Sequence, residues 1–132
     1  VESGCDSMLE NLGKNFSTDD VRRAFKALER AGLPFDAWIL LGGPGETRQT
    51  VCETLDFLES AGAANVIFSV GIRICPGTGI ERVARAEGVL DGNANLIAPS
   101  FYLAMDPADI VSLVRSRLRT HPGWRIAALA AQ

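Results

Sequence analysis

Trp38-Ile39-Leu40-Leu41 is a short continuous apolar run that ends in Gly42-Gly43-Pro44-Gly45-Glu46-Thr47. A run this short, stopped by glycine, suits a strand covered on both faces, as in a parallel sheet. The glycines permit backbone angles that other residues resist, and Pro44 stiffens the turn. Thr47 is placed to cap a helix whose apolar positions begin at Val51. Strand, glycine turn and helix in that order commit the chain to α/β architecture. Ligands in such folds sit at the carboxyl ends of the strands, so this turn is the first candidate site. A plain tight strand-to-helix connection would have the same pattern.

The rest of the chain alternates in the same way. Ser7 to Leu12 reads as one short helical turn stopped by Gly13. Ser17 or Thr18 caps a helix with Asp19 and Asp20 in its first turn. Its apolar face is Val21, Ala24, Phe25, Leu28 and Ala31, and Gly32 ends it. Phe35 to Leu41 is the strand already described. Thr47 to about Ala61 is a helix with Val51, Thr54, Leu55, Leu58 and Ala61 on one face. Val66 to Ile74, rich in β-branched residues, is a strand closed by Pro76-Gly77-Thr78-Gly79. Ile80 to Glu87 is a shorter helix, Asp91 to Asn95 a loop, and Ile97 to Leu103 a short strand or an ordered extended segment. Asp106-Pro107 opens a final helix, and the tail from Pro122 reads as a last short helix or a frayed end. The fold class is therefore α/β with parallel strands and flanking helices, in one domain over residues 1–132, with a helical end from about residue 106.

Bulk properties narrow the function classes. The net charge of −3 supplies no basic patch for nucleic acid. No apolar run approaches the ~20 residues of a membrane helix. Cys5, Cys52 and Cys75 form no CxxC pair and no zinc pattern, which favours a reducing cytoplasm over a disulfide framework. His121, the only histidine, reads as a surface residue.

Three stretches, in order, resemble the radical S-adenosylmethionine (radical SAM) superfamily. Val1-Glu2-Ser3-Gly4, followed by Leu9, Leu12, Lys14 and Thr18, is similar to that family's G-x-E-S strand end with L-x-x-L-x-K after it. Gly42-Gly43-Pro44-Gly45-Glu46-Thr47 is similar to its G-x-P-G-E-T turn. Gly71-Ile72-Arg73-Ile74-Cys75-Pro76-Gly77-Thr78 is similar to its sixth-strand ending in P-G-T. Phe101-Tyr102-Leu103 resembles the P-x-F-Y-L segment of the cobalamin-associated branch, which includes magnesium-protoporphyrin monomethyl ester oxidative cyclase-like proteins. The resemblance covers roughly residues 1–105. It implies the carboxyl-terminal half of a catalytic partial (β/α) barrel, of TIM-barrel type. One departure bears on activity: the family's C-x-x-x-C-x-x-C, which holds a [4Fe–4S] cluster, is absent.

The resemblance implies a fragment of a larger oxidoreductase or methyl-transferring enzyme, inactive alone. Its partners would be a missing amino-terminal half and a small-molecule substrate. The parent's cofactors would be S-adenosylmethionine (SAM) and the cluster, with cobalamin a further implication of the branch. By the same resemblance, Glu2 and Ser3 contact the polar ribose or amino-acid moiety of SAM. Gly42 and Gly43 let backbone approach its adenine or methionine portion, with Ile39 and Leu41 packed nearby. For the fragment itself, Glu2 is expected to be frayed or solvated. Glu46 is expected to cap the helix or hold the turn. Arg73, flanked by Ile72 and Ile74, either faces the lumen toward the SAM carboxylate or an acidic substrate, or lies outward, or pairs with Glu2 or Glu46. Cys75 is expected to be a small core residue.

A different class fits the same turn: a freestanding α/β module with Gly42 to Gly45 cradling a phosphate at a helix N-terminus. No Gly-Lys-Ser/Thr follows, and the adjacent Gly42 and Gly43 break a G-x-G-x-x-G fingerprint. A half-barrel would also expose a sheet edge and an apolar patch, which predicts a homodimer of the fragment.

Overall fold

A computed structural model describes residues 1–91 and 93–129. The elements are α1 (Asp6–Asn11), α2 (Thr18–Arg30), β1 (Ala37–Leu41), α3 (Arg48–Ser60), β2 (Val66–Val70), β3 (Ile72–Arg73), α4 (Gly79–Ala86), β4 (Phe101–Tyr102), α5 (Pro107–Leu118) and β5 (Trp124–Leu129). The main sheet runs β1-β2-β5, parallel throughout. Glu2 extends it by one parallel bridge to Ile39. The chain is thus α/β with parallel strands and flanking helices, as the alternation predicts.

The helices start where capping chemistry permits. Ser17 and Asp20 form a reciprocal capping box at α2, and Thr47 and Thr50 form another at α3. Asp106 caps α5 with Pro107 in its first turn. Among the described residues no helix is long and apolar enough to cross a membrane.

Helices α2, α3 and α5 share one core with the sheet. Val21 and Phe25 of α2, Val51, Leu55 and Leu58 of α3, and Ile110 and Val114 of α5 join Ile39, Leu41, Phe68 and Val70. Arg117 of α5 ties down α3 through Asp56 and Glu59. Successive parallel strands therefore cross over on the same side. A doubly wound sheet would carry helices on both faces; these three lie on one.

The pleat then decides which side chains face the core. Ala37, Ile39 and Leu41 have no exposure, while Trp38 between them is 53% exposed. The expectation that β1 is covered on both faces is corrected: its helix side is dry, and its other side is partly open.

Three further expectations are revised. The strand expected over Val66 to Ile74 breaks at Gly71, whose φ of 91° turns the chain out of the main sheet. Ile72–Arg73 then pairs antiparallel with Phe101–Tyr102. The extended segment expected from Ile97 shrinks to that pair. The excursion has its own small core of Ile74, Ala84, Leu90 and Tyr102. Finally, the tail from Pro122 is neither helical nor frayed over its described part, so the helical end stops with α5. Trp124 is buried, packs edge-on against Phe68 at 5.6 Å, and donates from Nε1 to the Ala63 carbonyl at 2.7 Å. Those contacts hold Trp124–Leu129 as an edge strand on β2. Gly92 in the expected Asp91 to Asn95 loop, and residues 130–132 of the tail, lie outside the described residues.

Candidate functional site

A cleft of about 520 Å³ opens at the carboxyl ends of the parallel strands. That is within the range of small-molecule sites, roughly 300–1,000 Å³. Glu2, Asn11, Leu12 and Gly13 form one wall, and Leu40 and Pro44 lie at the end of β1. Ile72 and the start of α4, with Thr78, Gly79, Ile80, Arg82 and Val83, complete the lining. The lining is mostly aliphatic, with Glu2, Asn11, Thr78 and Arg82 as its polar side chains.

The turn after β1 is built around Glu46. Its side chain folds back into the turn, where Oε2 accepts from the Gly42 amide at 3.1 Å and Oε1 from the Thr50 hydroxyl at 2.6 Å. The residue is 5% exposed, and burial pushes its carboxyl above the ordinary glutamate range, against the hydrogen bonds that lower it. Glu46 therefore holds the turn, one of the roles anticipated for it. The same carboxylate sits at the Gly42 amide that a phosphate cradle would need, so the geometry lends the phosphate-module reading no support.

Gly42 and Gly43 are required by the protein's own packing. Gly42 has φ 91°, and a Cβ there would meet Leu103 Cδ2 at 2.7 Å. A Cβ on Gly43 would stand 3.0 Å from Ile72 Cδ1 and 3.3 Å from Leu12 Cδ2. Both are buried beneath the cleft wall and do not line it. Ile39 and Leu41 point to the helix side, and Leu40 is the β1 side chain that reaches the cleft.

The other expected site residues divide. Glu2 lines the cleft and is not frayed: its amide donates to the Trp38 carbonyl and its carbonyl accepts from Leu40, both at 2.8 Å. Its carboxylate pairs with Lys14 at 2.7 Å. Ser3 is buried and turned inward, its hydroxyl 3.0 Å from Thr54 Oγ1 and accepting from the Cys5 amide. Arg73 is exposed, lies outside the cleft lining, and pairs with neither Glu2 nor Glu46. The alternation that sends Ile72 inward sends Arg73 outward.

Cys75 is exposed, contrary to the expected core position; it lies past the end of β3, where the Pro76-Gly77 turn begins. His121 is half-buried, its ring stacked on Trp124 with centroids 4.2 Å apart, so it is part of the β5 anchor. Arg82 escaped the sequence reading, although the turn before α4 did not. The signal was present: Pro76-Gly77-Thr78 ends a strand and opens a helix as Gly42 to Thr47 does.

Among the described residues, no group of three or more His, Cys, Asp or Glu side chains could hold a metal ion. Thiolates in the spacing a [4Fe–4S] cluster needs are also missing from the sequence, so these residues do not fit that group. No family model matches the chain, and no solved structure matches it significantly.

Proposed function

We propose that this chain is the carboxyl-terminal part of a radical SAM catalytic barrel, contributing one wall of the site for SAM and substrate. One observation carries the reading: the cleft at the strand ends draws its lining from all three stretches that resemble the family. Glu2 and Leu12 come from the first, Pro44 from the second, and Ile72 and Thr78 from the third. Stretches more than 20 residues apart that meet around one cleft are better explained by a shared site than by three independent turns. The one-sided winding of the sheet agrees with a barrel wall. On this reading the half-open face bearing Trp38 is the lumen side, which an amino-terminal part would enclose.

The cofactors carry the hard chemistry in such enzymes, and the protein binds and orients them. This chain's share is positional. Glu2, fixed by its backbone bridge and by Lys14, offers carboxylate oxygens to a hydroxyl or ammonium at the cleft mouth. Leu12, Leu40, Ile72, Ile80 and Val83 provide apolar walls that exclude water. The cluster belongs to the amino-terminal part, since the residues here do not fit it. The parent acts as an oxidoreductase or methyl-transferring enzyme; cobalamin use follows only from the branch resembled.

The test is on the longer protein. Its coding sequence is expected to carry C-x-x-x-C-x-x-C about 100 residues upstream of Val1, the length of some three strand–helix units. Purified anaerobically, that protein is expected to contain iron and sulfide and to release 5′-deoxyadenosine from SAM under reducing conditions. A start codon immediately before Val1, or a longer protein with neither cluster nor SAM cleavage, would overturn the proposal.

A further inference from the structure

The cleft's charges do not cancel. Glu2 is neutralised by Lys14 at 2.7 Å. Glu81 lies next to Arg82 along α4 and senses its charge, but the hydrogen bonds to its carboxylate come from other groups. Its Oε1 accepts from Arg85 at 2.8 and 3.0 Å, and its Oε2 accepts from the Gly77 amide at 2.7 Å. Arg82 itself makes no hydrogen bond through its guanidinium and lies within ion-pair distance of no carboxylate among the described residues. The guanidinium curls back over the start of α4, one Nη 3.6 Å from where a Cβ on Gly79 would stand. It lines the cleft as an exposed planar donor with five N–H groups, the geometry that matches a carboxylate or phosphate. Beside it lie the aliphatic side chains of Ile72, Ile80 and Val83.

We infer that the cleft selects an anionic ligand with an apolar body, its acid group paired with Arg82 and its body against Ile72, Ile80 and Val83. The inference deepens the ligand-site reading of the cleft and rests on it. It concerns the substrate's chemical class: a carboxylate or phosphate ester on a hydrophobic frame. Neither charge alone nor apolarity alone matches both Arg82 and the aliphatic side chains of the lining.

The probe pair is 1-naphthoate and 1-naphthamide, alike in shape and different in charge. Each is titrated into the 132-residue chain with methyl and amide chemical shifts as the readout. Naphthoate is expected to shift Ile72, Ile80 and Val83 and to bind roughly fivefold more tightly than the amide, as a partly exposed ion pair allows. The preference is expected to fall as salt rises. In Arg82→Gln it is expected to vanish, and in Arg82→Lys to persist in part. Arg82 is exposed, so neither substitution disturbs a core.

Equal binding of both probes at those residues would overturn the charge inference while leaving the cleft a ligand site. Absence of shifts there with either probe would overturn both. Failure of SAM cleavage by the longer protein touches neither result, so the enzyme-class proposal and this one fail separately.

Discussion

Replacing Glu46 with alanine is expected to destabilise the protein far more than replacing it with glutamine, and the difference follows from the turn's wiring. Alanine leaves the buried Gly42 amide without its acceptor at 3.1 Å, a loss of about 1–3 kcal/mol. The Thr50 hydroxyl is less affected, because it also reaches the Thr47 carbonyl at 3.0 Å. Removing a desolvated carboxylate offsets part of the loss, and the vacated space adds to it. The net expectation is roughly 2 kcal/mol. For a chain of this size that lowers Tm by about 6–12 °C. Glutamine keeps an oxygen for Gly42 and carries no charge, so its cost is expected within about 1 kcal/mol.

The pH dependence gives an independent check on the same residue. Burial raises the Glu46 carboxyl in the folded state above its unfolded value of 4.5. The folded state therefore holds the proton more tightly, and stability is lost as pH rises from 4.5 through the raised value. Relative to Glu46→Gln, the unmodified protein is expected to gain stability as pH falls through that window. Urea unfolding followed by far-UV circular dichroism at several pH values measures both effects. If Glu46→Ala costs under about 0.5 kcal/mol, or the pH trend runs the other way, the account of the turn is wrong.

Three further outcomes are expected. Gly42→Ala meets both a φ of 91° and Leu103 Cδ2 at 2.7 Å, so a loss of roughly 2–4 kcal/mol should appear in the same unfolding assay; a neutral result would refute the packing role. Trp124→Phe removes the donor to the Ala63 carbonyl and should cost about 1–2 kcal/mol, with faster amide exchange along β5 ahead of β1; uniform exchange would show that Trp124 does not anchor the strand. Tyr102 is the only tyrosine, and burial, then its hydrogen bond to Glu87 at 2.6 Å, pushes its phenol up to about 12. Phenolate absorbance should therefore appear only near that pH or with unfolding, and half-ionisation near pH 10 in the folded protein would contradict the burial.

Local chemistry was legible in the residues themselves. The helix caps near Ser17 and at Thr47 and the apolar spacing of α2, α3 and α5 are short-range properties, so the alternation of strands and helices could be read directly. Glu46 in a helix-opening turn was legible for the same reason. The site was less so. Arg73 stood out because a cation inside an apolar run is unusual, yet the pleat turns it outward. Arg82 drew no attention as one charge among several on a polar helix, and only the placement of α4 across the strand ends brings it to the cleft.

What the amino-acid sequence determined by itself was the class of fold and the direction of its crossovers. Helix periodicity, caps and glycine stops act within a few residues, and right-handed connection of parallel strands follows from chain chirality. Tertiary structure alone decided which faces close. Trp38 stays half-open because the helices lie on one side of the sheet. Trp124–Leu129 becomes a strand because β2 offers it an edge and Ala63 offers an acceptor. Glu2, Pro44 and Thr78, far apart in sequence, share one cleft because parallel strands bring all their carboxyl ends to the same side.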